Sequence, residues 1–274
     1  MKDILRYIYN SYSFARGWSF FQLIEITMSI FVILLISFIC NHQIQGQALA
    51  SPSASPSSIF ELFEKGNSLS NAGKYQEAIA YYDKALAINP KHEETLYNKG
   101  VAFSKLGNYD DAIIWYDKAL AINATNEAPL NNKGTALANL GRNQEAIIWY
   151  DKAISVNSTD KEPIYNKGLA LYNLKRYQDA IDWMDKALKI EPKNPNALDV
   201  KGQSLVSLHR YQEAIISYNR ALAINSTDLS VINNKAIALA LMGHKQDALS
   251  LLEKGLSIDP TNRYMLKVKS QLQE

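Results

Sequence analysis

From residue 59 onward, apolar and small residues return to the same places at one fixed interval. The lines beginning at Ile59, Glu93, Glu127, Lys161, Pro195 and Leu229 superpose without an insertion. Each line holds two stretches at helical spacing, which predicts a pair of helices per repeat. Counting positions from 1 within a repeat, position 8 holds Gly66, Gly100, Gly134, Gly168, Gly202 and Ala236, and position 20 holds Ala78, Ala112, Ala146, Ala180, Ala214 and Ala248. Small residues at both places predict that the paired helices approach closely there. Position 27, Ala85 through Ala221 and then Gly255, is the small site toward the next repeat. Bulk comes from position 11 (Leu69, Phe103, Leu137, Leu171, Leu205, Leu239) and position 24 (Tyr82, Tyr116, Tyr150, Met184, Tyr218, Leu252). Gly73, Gly107, Gly141 and Gly243 mark turns within repeats, and Pro90, Pro192 and Pro260 mark turns between them. Six repeats fill residues 59–262. In the stretch that follows, Tyr264, Met265, Val268 and Leu272 share one helical face, opposite Lys267, Gln271 and Glu274; this predicts a capping helix over 263–274.

A 34-residue period with these small and large positions resembles the tetratricopeptide repeat, a helix–turn–helix unit. The resemblance implies an all-α fold, a right-handed superhelical solenoid of six such units closed by the capping helix. It also implies a non-catalytic scaffold that binds protein or peptide. The family often carries tryptophan at position 4. This chain departs from that with Leu62, Leu96, Leu130, Ile164, Leu198 and Ile232, all still apolar.

The region before the repeats has a different pattern. Residues 26–40 carry no charge at all, and extension back to Ser19 admits a single acid, Glu25. The shorter stretch has the length of a signal-peptide core and the longer one can span a bilayer. A separate apolar helix over 19–40, in membrane, is therefore expected. Lys2, Arg6 and Arg16 precede it, and no Lys or Arg follows until Lys65. That asymmetry predicts a cytoplasmic N-terminus and repeats outside the cytoplasm. Ala48-Leu49-Ala50 has the small-x-small form of a signal-peptidase site, so secretion after cleavage near Ala50 stands beside retention as an anchor. The division is 1–50 for the N-terminus and membrane or signal segment, then 51–58 as a Ser/Pro linker (SPSASPSS).

Composition narrows the function classes. Twenty-nine Lys and Arg against 27 Asp and Glu lack the excess charge of a nucleic-acid binder. One cysteine and four scattered histidines offer no metal site and no disulfide framework. There is no phosphate-binding glycine loop and no nucleophile–base pair, so neither enzyme nor cofactor is expected.

Candidate chemistry lies in the first helix of each repeat, whose positions 2, 5, 6, 9, 12 and 13 tend to face the concave groove in this family. Position 6 supplies Asn98, Asn132, Asn166 and Asn234; position 5 supplies Tyr97, Asn131, Tyr165 and Asn233; position 13 supplies Asn139 and Asn173. An amide offers a donor and an acceptor together, matching a peptide backbone, and tyrosine adds flat area with a polar tip. The row resembles the asparagine ladder of the O-linked N-acetylglucosamine transferase superhelix. No repeat has Lys or Arg at position 2, 5 or 6, which argues against the carboxylate clamp of chaperone-tail binders. Lysine does recur at position 7 (Lys65, Lys99, Lys133, Lys167, Lys201, Lys235), and Asp83, Asp117, Asp151 and Asp185 at position 25 suggest a ladder of ion pairs. Trp115, Trp149 and Trp183 at position 23 offer a second reading, an assembly subunit of a cell-envelope complex that uses its convex face; the same three rings are equally consistent with packing inside the solenoid. Asn123, Asn157 and Asn225 open Asn-x-Thr sequons in exposed turns and are candidates for N-glycosylation.

Overall fold

The structure is a computed structural model that describes residues 58–274. The apolar segment 19–40, the cleavage site near Ala50 and the Ser/Pro stretch up to residue 57 lie outside the described residues. Among the described residues there are thirteen α-helices and no strand. They are α1 (Ile59–Asn71), α2 (Tyr75–Ile88), α3 (Glu93–Lys105), α4 (Tyr109–Leu120), α5 (Glu127–Asn139), α6 (Asn143–Val156), α7 (Lys161–Asn173), α8 (Tyr177–Ile190), α9 (Pro195–Ser207), α10 (Tyr211–Ile224), α11 (Leu229–Leu241), α12 (Lys245–Ile258) and α13 (Arg263–Gln273). None of them is long and apolar enough to cross a membrane.

The starts of the odd-numbered helices follow from local chemistry. Ser58, His92, Asn126, Asp160, Asn194, Asp228 and Asn262 are their N-caps, and each side chain accepts a backbone N–H of the first turn. Ser58, read above as the last linker residue, forms a capping box with Glu61. The even-numbered helices lack such caps. Instead, in all but α4, whose N-cap is Asn108, a basic N-cap residue pairs with an acid in the first turn, as in Arg142–Glu145, Arg176–Asp179 and Arg210–Glu213, each at 2.7 Å.

The helix pairs stack in order, every helix touching the next. Consecutive odd helices also touch one another across repeats, whereas no two even helices do. The odd helices are therefore packed at the shorter radius. They form the inner, concave face of the stack, and the even helices form its outer face.

The small residue at position 8 lies near position 20, as its pattern suggested, and has a second, closer partner in the position-24 side chain. A Cβ added at Gly66, Gly100, Gly134 or Gly202 would sit 2.4–2.7 Å from the ring of Tyr82, Tyr116, Tyr150 or Tyr218, respectively. The glycine thus makes room for the position-24 side chain; the alanine at position 20 packs alongside with no exposed surface. In repeat 6 both members change together. Ala236 faces a core with Leu252, where the shorter side chain leaves space for the extra methyl.

Turns within repeats need a left-handed residue at position 15. Gly73, Gly107, Gly141 and Gly243 supply it with φ between 75° and 86°. Lys175 (φ 60°) and His209 (φ 59°) hold the same conformation in repeats 4 and 5, which the glycine pattern did not anticipate. At the far end α13 covers the last repeat. Met265 is fully buried and Val268 and Leu272 pack beside it. Tyr264, expected on that buried face, is instead 79% exposed and stands at the rim of the inner face. Met265 fills the space over Gly255, the one position-27 residue that lacks a methyl group.

Candidate interaction face

The inner face carries most of the amides expected there, and they are wired to one another. Asn98 Nδ2 donates to Asn67 Oδ1 (2.9 Å), Asn132 Nδ2 to the Tyr97 hydroxyl (2.9 Å), Asn166 Nδ2 to Asn131 Oδ1 (3.2 Å) and Asn234 Nδ2 to Asp199 Oδ1 (3.0 Å). Each position-6 amide thus reaches back to an acceptor in the preceding repeat. Their Oδ1 atoms accept no hydrogen bond from other described residues, so the ladder keeps its acceptors open. Asn131 is only 6% exposed and acts as an internal link rather than a free contact group.

The other predicted residues differ in role. Tyr97 and Tyr165 are half-buried, and burial raises both hydroxyl pKa values; the Asn132 hydrogen bond opposes this at Tyr97. Asn139 is exposed but donates to its own helix at Thr135 O (2.9 Å). Asn173, also exposed, reaches Asn143 Oδ1 at 3.4 Å on the adjoining helix α6. Asn233 has a buried Oδ1 with no hydrogen-bond partner.

Charges on this face and its edge lean one way. Glu64, Glu93, Glu94, Glu127, Glu162 and Asp199 stand against Lys105, Lys161 and, at the same positions of α13, Arg263 and Lys267, and Lys161 is already paired with Glu191 at 3.0 Å. Burial pushes the Glu127 carboxyl up, and neighbouring Asp160 adds to the shift. At the C-terminal end the face deepens into a cleft of about 350 Å³ lined by Asp199, Gln203, Leu229, Ser230, Asn233, Asn234, Asn262 and Tyr264.

The outer face is ordered by a second array. Asp83 pairs with Lys99, Asp117 with Lys133, Asp151 with Lys167 and Asp185 with Lys201. Lys99 is only 5% exposed and Lys133 8%, so these lysines form no free basic stripe. Lys99 also lies 3.6 Å from the ring centre of Trp115, whose other neighbour is Lys118 at 3.6 Å. Trp149 is flanked by Lys133 and Lys152 (3.7 and 3.8 Å), and Trp183 by Lys167 and Lys186 (3.9 and 3.7 Å). Each ring is half-buried and packs on the solenoid core. These tryptophans are integrated into the stack, with cations already over their π-systems.

The three sequon asparagines are exposed, and each has a local duty. Asn123, Asn157 and Asn225 accept through Oδ1 from the backbone N–H and hydroxyl of the threonine two residues on, at 2.9–3.2 Å. Asn-x-Thr recurs because it closes the turn between repeats. Sequence reading missed Asn67, Tyr172, Gln203 and the position-26 lysines as network members. Tyr172 donates to Gln203 Oε1 at 3.0 Å. The signal available for Asn67 was its place at position 9 of the same face.

Residues 63–127 match a family model described as tetratricopeptide repeat, and residues 139–221 match one described as anaphase-promoting complex, cyclosome, subunit 3. No curated protein matches the chain. Among solved structures it is similar to PilW, described as a widely conserved type IV pilus biogenesis factor, with TM-score 0.69 and 18% identity over 77% of this chain and 97% of that one. It is similar to pilF of Pseudomonas aeruginosa, with TM-score 0.67 and 19% identity over 78% and 97% of the two chains. A third similar structure is YrrB, described as a TPR protein with an unusual peptide-binding site, with TM-score 0.59 and 20% identity over 69% and 97%. At such identities the likeness is one of fold. Helix pairs that repeat at one fixed period, the family-model match over residues 63–127 and these shared folds support a tetratricopeptide-repeat protein.

Proposed function

We propose that this protein is a non-catalytic scaffold whose inner face binds an extended segment of a partner protein. Tetratricopeptide repeats mediate protein–protein interactions in general, and the inner face is where this chain offers matching chemistry. The observation that carries the reading is the amide ladder. Asn98, Asn132, Asn166 and Asn234 each use their N–H to fasten onto the preceding repeat, which fixes the side chain and leaves its Oδ1 open. An extended peptide presents N–H donors along its length, and immobilised acceptors meet them with little further loss of side-chain freedom. The test is crosslinking and pull-down from intact membranes with the Asn132→Ala/Asn166→Ala double variant. Loss of the captured partner, with helicity unchanged, is expected; undiminished capture would sink the proposal.

We infer also that residues 19–40 deliver the repeats to the outer side of the cytoplasmic membrane, as an anchor or as a signal removed near Ala50. The support is the uncharged run over 26–40 and the basic residues confined to its N-terminal flank. Protease added to intact cells should digest the repeats. A repeat region that stays protected would overturn the topology.

A further inference from the structure

The cleft at the C-terminal end of the inner face is lined by acceptors and by no cation. Asp199 is the one carboxylate at position 5, where the other repeats carry Phe63, Tyr97, Asn131, Tyr165 and Asn233. Its Oδ1 accepts from Asn234 Nδ2 at 3.0 Å and its Oδ2 from Gln203 Nε2 at 2.8 Å, so two amides fix its orientation without cancelling its charge. Neither oxygen meets a Lys or Arg among the described residues. Beside it, Asn233 Oδ1 is buried and has no donor. Tyr264 completes the wall with a ring that is 79% exposed.

An uncompensated carboxylate and an unfilled acceptor in a partly desolvated cleft are both costly while the cleft is empty, and one ligand type relieves both. We propose that this cleft receives the ammonium or guanidinium head of a basic side chain on the bound segment. The head group pairs with Asp199, donates to Asn233 Oδ1 and lies against the Tyr264 ring. A cleft of about 350 Å³ has room for either head group with part of its stem. The rest of the face agrees in sign, since its acids outnumber its bases. The proposal deepens the groove reading given above and rests on it for the remainder of the segment.

The cleft is tested apart from the ladder by titrating the full-length chain with Nα-acetyl-lysine amide while following the side-chain amide resonances of Asn233, Asn234 and Gln203. The same titration with Nα-acetyl-norleucine amide keeps a similar stem and removes the ammonium. The lysine compound should shift all three resonances and the norleucine compound should not. Asp199→Asn should weaken binding at least about tenfold. Tyr264→Ala, at an exposed position where folding is not at stake, should weaken it several-fold. Asn132→Ala/Asn166→Ala should leave it intact even if that variant shows the ladder reading to be wrong. Equal shifts with both compounds, no shift with lysine, or full binding by the folded Asp199→Asn variant would overturn the proposal.

Discussion

Position 8 shows how closely two residues can be matched. Gly202 sits where a methyl group would lie 2.4 Å from the Tyr218 ring, so Gly202→Ala should cost about 1–3 kcal/mol in denaturant unfolding. Replacing the ring as well, in Gly202→Ala/Tyr218→Leu, copies the Ala236 and Leu252 pair of repeat 6 and should recover much of that loss. If the double variant is no more stable than Gly202→Ala alone, the packing argument fails. The sequence displayed both rows, yet periodicity tells which face a residue occupies and not which hole it fills. The joint change in repeat 6 was the available clue. Position 15 gives a prediction of opposite sign. Lys175 holds φ 60° where other repeats use glycine, so Lys175→Gly should stabilise by up to about 1 kcal/mol in thermal unfolding. His209→Gly should gain less, because it also loses the 2.6 Å contact of Nδ1 with the Tyr211 hydroxyl.

Between elements, the outer array ties the second helix of one repeat to both helices of the next. Its parts differ in weight. Asp117 is half exposed while its partner Lys133 is buried, so Asp117→Asn, which removes the charge but keeps an acceptor, should cost about 1–2 kcal/mol. Trp149 joins Ile147, Leu130 and Leu120 in the core while holding two lysines, so Trp149→Ala should cost about 3–5 kcal/mol. Chemical denaturation of the two variants checks the ordering, and equal losses would contradict it. The Lys–Asp rows were legible because both recur at fixed positions. For the rings between them the sequence leaves outward contact and packing within the stack equally open, since a position number does not show that lysines from two different helices converge on one indole. The amide ladder was legible in part for a similar reason. The row of asparagines was plain, but the hydrogen bond of each to the preceding repeat depends on the helix-to-helix offset, which only the stacked structure supplies.

Across the whole molecule, buried tyrosines set the alkaline limit. Burial raises the hydroxyl pKa of Tyr82, Tyr116 and Tyr218, and pushes Tyr150 up to about 12 against an unfolded value of 10.0. A raised folded-state value means the neutral form is favoured in the fold. The contribution is therefore fully present below pH 10 and is lost as pH rises toward about 12. Tyrosinate absorbance from these rings should appear together with loss of helicity, and its appearance in a fully helical protein would refute the assignment. The architecture was legible at this scale because one period governs every repeat. The exposure of Tyr264 was not, since it depends on how α13 meets the end of the stack. The tryptophans held between lysines have one more consequence, for spectroscopy. Three of the chain's four indoles lie in repeats 2 to 4, and repeats 5 and 6 have none. Their fluorescence is a local reporter of the middle of the stack, whereas circular dichroism sums over all helices. In a linear array with nearest-neighbour coupling, the two signals need not share a midpoint, and the gap between them would measure how far one end can unravel before the centre responds.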